Sequence, residues 1–228
     1  WRLGGSDSEG GRGMVVLPDG GWVLAGYSHS TDGIVGQNLG DSDGWVVRCN
    51  ADGAVLWSVI CGGSGYDSMD GIKATPDGGF IAVEITASED GDITTPIGEL
   101  DVLVVKLDAA GQQEWVKTYG GSLDDFSFDM LATEDGGVLV GGSSYSADGH
   151  LTTNHGEADA WLLKLDATGA VQWQRSYGGI TNDGIRSMAP APGGGAACVG
   201  FTKAGGGDVT GYHGGPTDAW AIVVDAAG

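Results

Sequence analysis

Long apolar runs, cations and cysteines are all in short supply in this chain of 228 residues. No apolar stretch approaches the roughly 18 residues that a membrane-spanning helix needs, so no membrane insertion is expected. Only 10 Lys and Arg stand against 31 Asp and Glu, a formal charge of −21. Nucleic acid is therefore not an expected partner, because phosphate recognition rests on clustered cations. The three cysteines, Cys49, Cys61 and Cys198, form no even-numbered disulfide framework and have no metal-ligand spacing. Segments with sustained helical spacing are also missing, as are a nucleophile-elbow serine, an EF-hand spacing and a Gly-rich strand-to-helix loop. His29, His150, His155 and His213 have no second His or Cys at metal-site spacing and read as surface side chains. The chain starts Trp-Arg-Leu-Gly-Gly without an initiator Met or a signal-peptide pattern, which suggests a processed protein or part of a longer one.

Glycine is what the chain has in excess. Its 45 glycines are about a fifth of all residues, against roughly 7% in average proteins. Eight Trp, six Tyr and four Phe argue against disorder and for a packed core. The glycines are periodic. Gly-Gly pairs begin at Gly4, Gly62, Gly120 and Gly178, each 58 residues after the last. Pro18–Trp22, Pro76–Phe80, Glu134–Val138 and Pro192–Ala196 keep that spacing. Trp45, Leu103 and Trp161 do too, with Trp220 following after one inserted residue. Four copies, approximately 4–61, 62–119, 120–177 and 178–228, fill residues 1–228 as a single expected domain.

Each copy reads as four short strands. In the second they are 72–75, 80–86, 102–107 and 112–119, rich in β-branched and aromatic residues and bounded by Gly, Asp and Pro. Pro-Asp-Gly-Gly joins the first two, and Asp108-Ala109-Ala110-Gly111 suits a type I turn closed by a left-handed Gly between the last two. A lone four-stranded meander cannot bury both faces, so the copies must stack or be arranged radially. The expected class is all-β, a β-propeller of four-stranded antiparallel blades. A β-solenoid is the other candidate, although its rungs are usually shorter. The copies are circularly offset: the last stops before its outermost strand, while Trp1-Arg2-Leu3 aligns with the end of such a strand. Residues 1–3 are expected to complete the last blade. The alternative is that further repeats or a second chain complete a larger ring.

The succession Gly-Gly-Ser, an acidic turn, PDGG-aromatic, Ser-x-Asp-Gly, Asp-x-Trp-apolar-apolar-Lys-Leu-Asp, Trp and Tyr-Gly-Gly resembles the bacterial secreted β-propeller repeats of about sixty residues per blade. The resemblance covers all four copies and implies an extracellular or cell-surface location. It brings no catalytic residues. Departures are Glu84, where other copies have Gly26, Gly142 and Gly200, and Gly206, where others have Asp32, Asp90 and Asp148.

In a propeller the inter-blade links and the long second loops share one face. The expected acids of that face are Glu9, Asp67, Asp125 and Asp183 in the links, and Asp32, Asp90 and Asp148 in Ser-x-Asp-Gly. Asp43, Asp101, Asp159 and Asp218 stand just before the third strand. The second and third sets are the candidate ligands for calcium, which takes six to eight oxygens. The competing reading is that each Asp accepts amide hydrogens of its own turn, and recurrence in every copy favours it. The first channel-lining positions are Arg12, Asp70, Phe128 and Arg186, where two arginines could hold an anion or Asp70 could pair with a neighbouring arginine and plug the mouth. Glu84 places a carboxylate in an apolar strand, and its pKa should rise if it is buried unpaired. Trp22 and Tyr212 could stack on sugars, whereas the in-register tryptophans suit packing between blades. The function these features suggest is a non-catalytic binding module that engages a protein or glycan partner. The alternatives are a glycan-active hydrolase or lyase using carboxylates of one face, and a structural spacer in a larger surface protein.

Overall fold

The computed structural model describes the backbone of residues 1–228 and every side chain except that of Glu84. It is all-β, with fifteen strands and, among the described residues, no helix long and apolar enough to cross a membrane. The strands form four sheets in chain order. Sheet 1 holds β1 (Glu9–Val16), β2 (Trp22–Ser28), β3 (Asp43–Cys49) and β4 (Val55–Cys61). Sheet 2 holds β5 (Asp67–Ala74), β6 (Phe80–Thr86), β7 (Asp101–Leu107) and β8 (Gln113–Tyr119). Sheet 3 holds β9 (Asp125–Ala132), β10 (Val138–Ser144), β11 (Asp159–Leu165) and β12 (Val171–Tyr177). Sheet 4 has three strands, β13 (Asp183–Ala191), β14 (Gly195–Thr202) and β15 (Asp218–Val224). The chain falls into two compact units, one of residues 1–96 and 102–118, the other of residues 97–101 and 119–228.

The turns follow their residues. Gly111 has φ 80°, a conformation closed to most side chains, and its amide donates to the Asp108 carbonyl at 3.1 Å while the Asp108 carboxylate accepts from Ala110 and Gln112. The first strand of each sheet is longer than its apolar pattern suggested. β5 starts at Asp67 rather than Ile72, because Asp67 is fully buried and bonded although its neighbours read as loop.

Within each unit one sheet presents its alternate residues to the next. In the first unit Val23, Ala25 and Val46 of sheet 1 meet Ile72, Phe80, Ala82, Leu103 and Val105 of sheet 2. In the second, Leu139 and Leu162 of sheet 3 meet Met188, Ala196, Cys198 and Val224 of sheet 4. Tryptophans on the last strands of sheets 1 and 3 secure these contacts. Trp57 Nε1 donates to the Ala109 carbonyl at 3.2 Å, and Trp173 Nε1 to the Ala226 carbonyl at 3.0 Å, each reaching the last turn of the neighbouring sheet. Residues 1–3, expected to finish the last blade, carry no strand. Trp1 Nε1 donates to the Asp52 carbonyl of sheet 1 at 3.0 Å, and Leu3 packs against the cluster around Trp45 and Val47.

A buried lysine ties the third strand to the first turn. Lys106 Nζ lies 2.8 Å from both Asp77 and Glu114, and Lys164 Nζ lies 2.9 Å from Asp135. These hydrogen bonds and charges hold the Asp77 carboxyl far below the usual carboxylate range. Removing the acids strands a buried ammonium, so Asp77→Ala with Glu114→Ala should cost about 2 kcal/mol or more in chemical denaturation. Adding Lys106→Met to that pair should recover most of the loss.

Candidate functional site

The first strand of every sheet carries one β-bulge, and the bulges are in register. Pairing skips from Gly11 to Gly13, from Met69 to Gly71, from Ser127 to Asp129 and from Ile185 to Ser187. The residues skipped are Arg12, Asp70, Phe128 and Arg186, the four positions singled out in the sequence as channel-lining. A bulge re-aims the side chain it carries and is favoured beside binding sites. It also explains the glycines opposite. A methyl group on Gly26, Gly142 or Gly200 would stand 1.8, 1.7 or 1.8 Å from the carbonyl oxygen of Gly10, Phe126 or Gly184. Glu84 takes this place in sheet 2, where its backbone pairs with Met69; its side chain lies outside the described residues.

In the first unit Arg12 lies 5.7 Å from the Tyr27 ring centre. Burial pushes the Asp70 carboxyl up to about 6, with the Arg12 charge acting in the opposite sense. The two attract across space but form no salt bridge, so the expected Asp70–arginine pair is not made among the described residues.

The second unit holds a concavity of about 300 Å³ around Arg186. Phe126 and Phe128 stack at 6.2 Å and 8° along one wall, with Tyr145 and Phe201 beside them. The Arg186 guanidinium sits 4.0 Å from the Phe128 ring centre and 5.1 Å from that of Phe201, and Lys203 Nζ is 5.9 Å from Phe201. Neither cation has an acidic partner among the described residues. At the same concavity Asn182 Oδ1 and Asp183 Oδ1 are buried acceptors without a hydrogen bond. Sequence reasoning found Arg186 and Phe128 but missed Tyr145, Asn182, Phe201 and Lys203, whose only signal was proximity to a strand end. Trp22 and Tyr212 stand elsewhere. Trp22 packs against the sheet 1 cluster 6.2 Å from Trp1, and the Tyr212 hydroxyl donates to the Gly215 carbonyl.

The recurrent carboxylates are used by the backbone. Asp32, Asp90 and Asp148 accept the amide hydrogens of Ser6, Ser64 and Ser122 at 2.7, 2.6 and 2.7 Å. Those amides lie 26 residues earlier in the chain, so the motif fixes the link before the sheet rather than its own turn. Asp67, Asp125 and Asp183 are fully buried first residues of the first strands of their sheets rather than link residues. They accept from Gly63, Gly121 and Gly179 at 2.8, 2.6 and 2.7 Å. Glu9 does the same to Gly5 at 3.2 Å. Asp43, Asp101 and Asp159, buried first residues of third strands, accept from Leu39, from Ile97 and Gly98, and from His155. Asp218 accepts from His213 at 2.6 Å. His155 also approaches Asp159 with its ring, Nδ1 to Oδ2 2.7 Å. Among the described residues no group of three or more His, Cys, Asp or Glu is placed to hold a metal ion. Each of these candidate calcium ligands thus holds at least one amide, while the Oδ1 atoms of Asp43, Asp101 and Asp159 are buried without a hydrogen bond.

No protein-family model matches the chain. The regulatory protein FlaEY of Caulobacter vibrioides (strain ATCC 19089 / CIP 103742 / CB 15) is similar, 27% identical over 126 residues. That stretch is 48% of this chain and 13% of FlaEY, so the chain spans a small part of that relative's length.

Burial, mainly, pushes Asp43 and Asp125 up to about 6. The folded protein then binds these protons more tightly than the unfolded chain does, so their contribution to stability falls as pH rises from the ordinary 3.8 to about 6. The thermal unfolding midpoint should rise as pH is lowered from neutral to about 4.5, and the rise should shrink in Asp43→Asn with Asp125→Asn. A separate expectation concerns Asp90. Asp90→Ala should lose about 0.5–1.5 kcal/mol in denaturant titration through the lost hydrogen bond from the solvent-accessible Ser64 amide, with Asp90→Asn losing less. Calcium should not restore either variant.

Proposed function

We propose that the four sheets are blades of a β-propeller and that the protein is a non-catalytic extracellular or cell-surface binding module whose ligand is an acidic glycan. The propeller reading is supported by four sheets in chain order, the repeated sheet-to-sheet packing inside each unit and the bulges in register at a 58-residue spacing. The location follows the resemblance to secreted bacterial propeller repeats.

The observation that carries the ligand is the gathering of Arg186 and Lys203, without acidic partners among the described residues, against aromatic rings in a protein of charge −21. Two cations suit a carboxylate or sulfate, since charge-assisted hydrogen bonds are the strong ones. Phe126, Phe128, Phe201 and Tyr145 offer flat walls to the C–H faces of a sugar. The unfilled acceptors of Asn182 and Asp183 suit its hydroxyls. Glycoside hydrolysis calls for two opposed carboxyl groups. Among the residues lining this concavity Asp183 is the one carboxylate, and its Oδ2 is bonded to the Gly179 amide.

Titration calorimetry with an oligogalacturonate and with a neutral galactose oligomer tests the reading. The acidic oligomer alone should bind, and no new reducing ends should appear. Arg186→Ala should weaken binding by about ten- to a hundredfold, the worth of a hydrogen bond to a charged group. Equal binding of the two oligomers, or an unchanged affinity in Arg186→Ala, would overturn it.

A further inference from the structure

β4 is the last strand of sheet 1, and among the described residues its far edge pairs with no strand. Along that strand the first unit holds a concavity of about 860 Å³. Ser58 and Val59 of β4 line it, together with Gly36 and Leu39 of the loop before β3 and with Asp92 and Gln113 of the second copy. All of these residues belong to one compact unit.

The same place in the second unit is closed. Thr152, Gln174 and Arg175 stand two repeats after Gly36, Ser58 and Val59. Gln174 Nε2 donates to Thr152 Oγ1 at 2.7 Å, which ties the loop to the strand. Arg175 donates to the Gln174 carbonyl at 2.8 Å and to the Ala227 carbonyl at 3.1 Å, so its guanidinium sits on the edge of its own strand. A cation on an edge strand hinders pairing with another chain, and sheet 2 also carries one there, Lys117. Sheet 1 has none of these devices. The Ser58 hydroxyl accepts from Trp45 Nε1 at 2.8 Å, Val59 offers no side-chain donor, and a methyl group on Gly36 would meet nothing within 4 Å.

The groove is also charged one way. Asp92 accepts from the Gly62 amide at 3.2 Å and from Gln113 Nε2 at 3.3 Å but makes no ion pair among the described residues, and no Lys or Arg is among those lining the concavity. A free strand edge is a row of main-chain donors and acceptors at a strand's own spacing, which another extended chain matches. We infer that an extended cationic peptide adds to the free edge of β4 as a further strand of sheet 1, with apolar side chains against Val59 and Leu39 and a Lys or Arg against Asp92. Main-chain hydrogen bonds then supply the affinity, and the alternating side chains supply the selectivity. No residue of the Arg186 concavity takes part, so the peptide and the glycan are separate ligands.

A displayed library of random heptapeptides, selected on the intact chain and cleared of those that also bind Val59→Lys, tests this. The survivors should lack proline, alternate apolar residues with others and carry a Lys or Arg. In titration calorimetry a synthetic survivor should bind Val59→Lys about tenfold or more weakly, and Asp92→Asn about two- to fivefold more weakly, the worth of an exposed ion pair. N-methylation of one alternate set of peptide amides should abolish binding, and of the other set should not. A selection in which Val59→Lys loses no peptide, survivors without a basic residue, or binding that treats the two amide sets alike would overturn the inference. So would a dimeric intact chain that becomes monomeric in Val59→Lys by light scattering, since a second copy would then hold the edge. Circular dichroism and the unfolding midpoint check the fold of Val59→Lys. Should it fail, Val59→Arg, which matches the residue in sheet 3, blocks the same edge and gives the same reading.

Discussion

A buried carboxylate at the start of a strand, accepting an amide hydrogen from the link before it, is the interaction on which this structure depends. Asp67, Asp125 and Asp183 are wholly out of water, each holding a glycine amide four residues back. Taking an ion from water is costly, and only fixed donors offset it. Asp67 has Ser88 at 2.7 Å besides the Gly63 amide, and Asp125 has Ser144, Ser146 and the Gly121 amide. Each of these clamps decides where the first strand of a sheet begins. That start in turn decides where its bulge falls and which side chain the bulge presents.

The clamps vary little between copies and the bulge residues vary freely. Arg12, Asp70, Phe128 and Arg186 differ in charge and size while the backbone around them repeats. This is the division expected of a rigid scaffold bearing a variable recognition position. In the second unit two adjacent bulges bring Phe128 under Arg186, and β14 contributes Phe201 to the other side of the guanidinium. A cation held between rings keeps its charge and its donors for a ligand, because the rings compete for neither.

The fourth copy departs from the others in matched pairs. Where three copies set Asp19, Asp77 or Asp135 against Arg48, Lys106 or Lys164, the fourth has Gly193 and Val223, so both members of the ion pair are gone together. Losing one alone would leave an unpaired charge. Ala204 and Gly206 likewise replace the serine and aspartate that bind the link in the other copies. The sheet that lacks these tethers also carries the exposed Val199 and Val223.

Period, strand number and turn type were legible in the chain because they depend on neighbours a few residues apart. Gly111 closes its turn whatever lies beyond it, and alternation in Val102–Leu107 marks a strand without reference to its partners. The bulge residues could be named as well, since a 58-residue repeat carries a position from copy to copy. What Asp90 bonds to could not be read, because its amide partner is 26 residues away and comes within reach only when a long loop folds back on the sheet. Nor could the company of Arg186 be read. Phe128 is 58 residues before it and Phe201 is 15 after it, so strand pairing and sheet packing alone bring those rings to one cation. Local backbone preference is written in the order of residues, whereas burial and distance between remote side chains exist only once the sheets have packed.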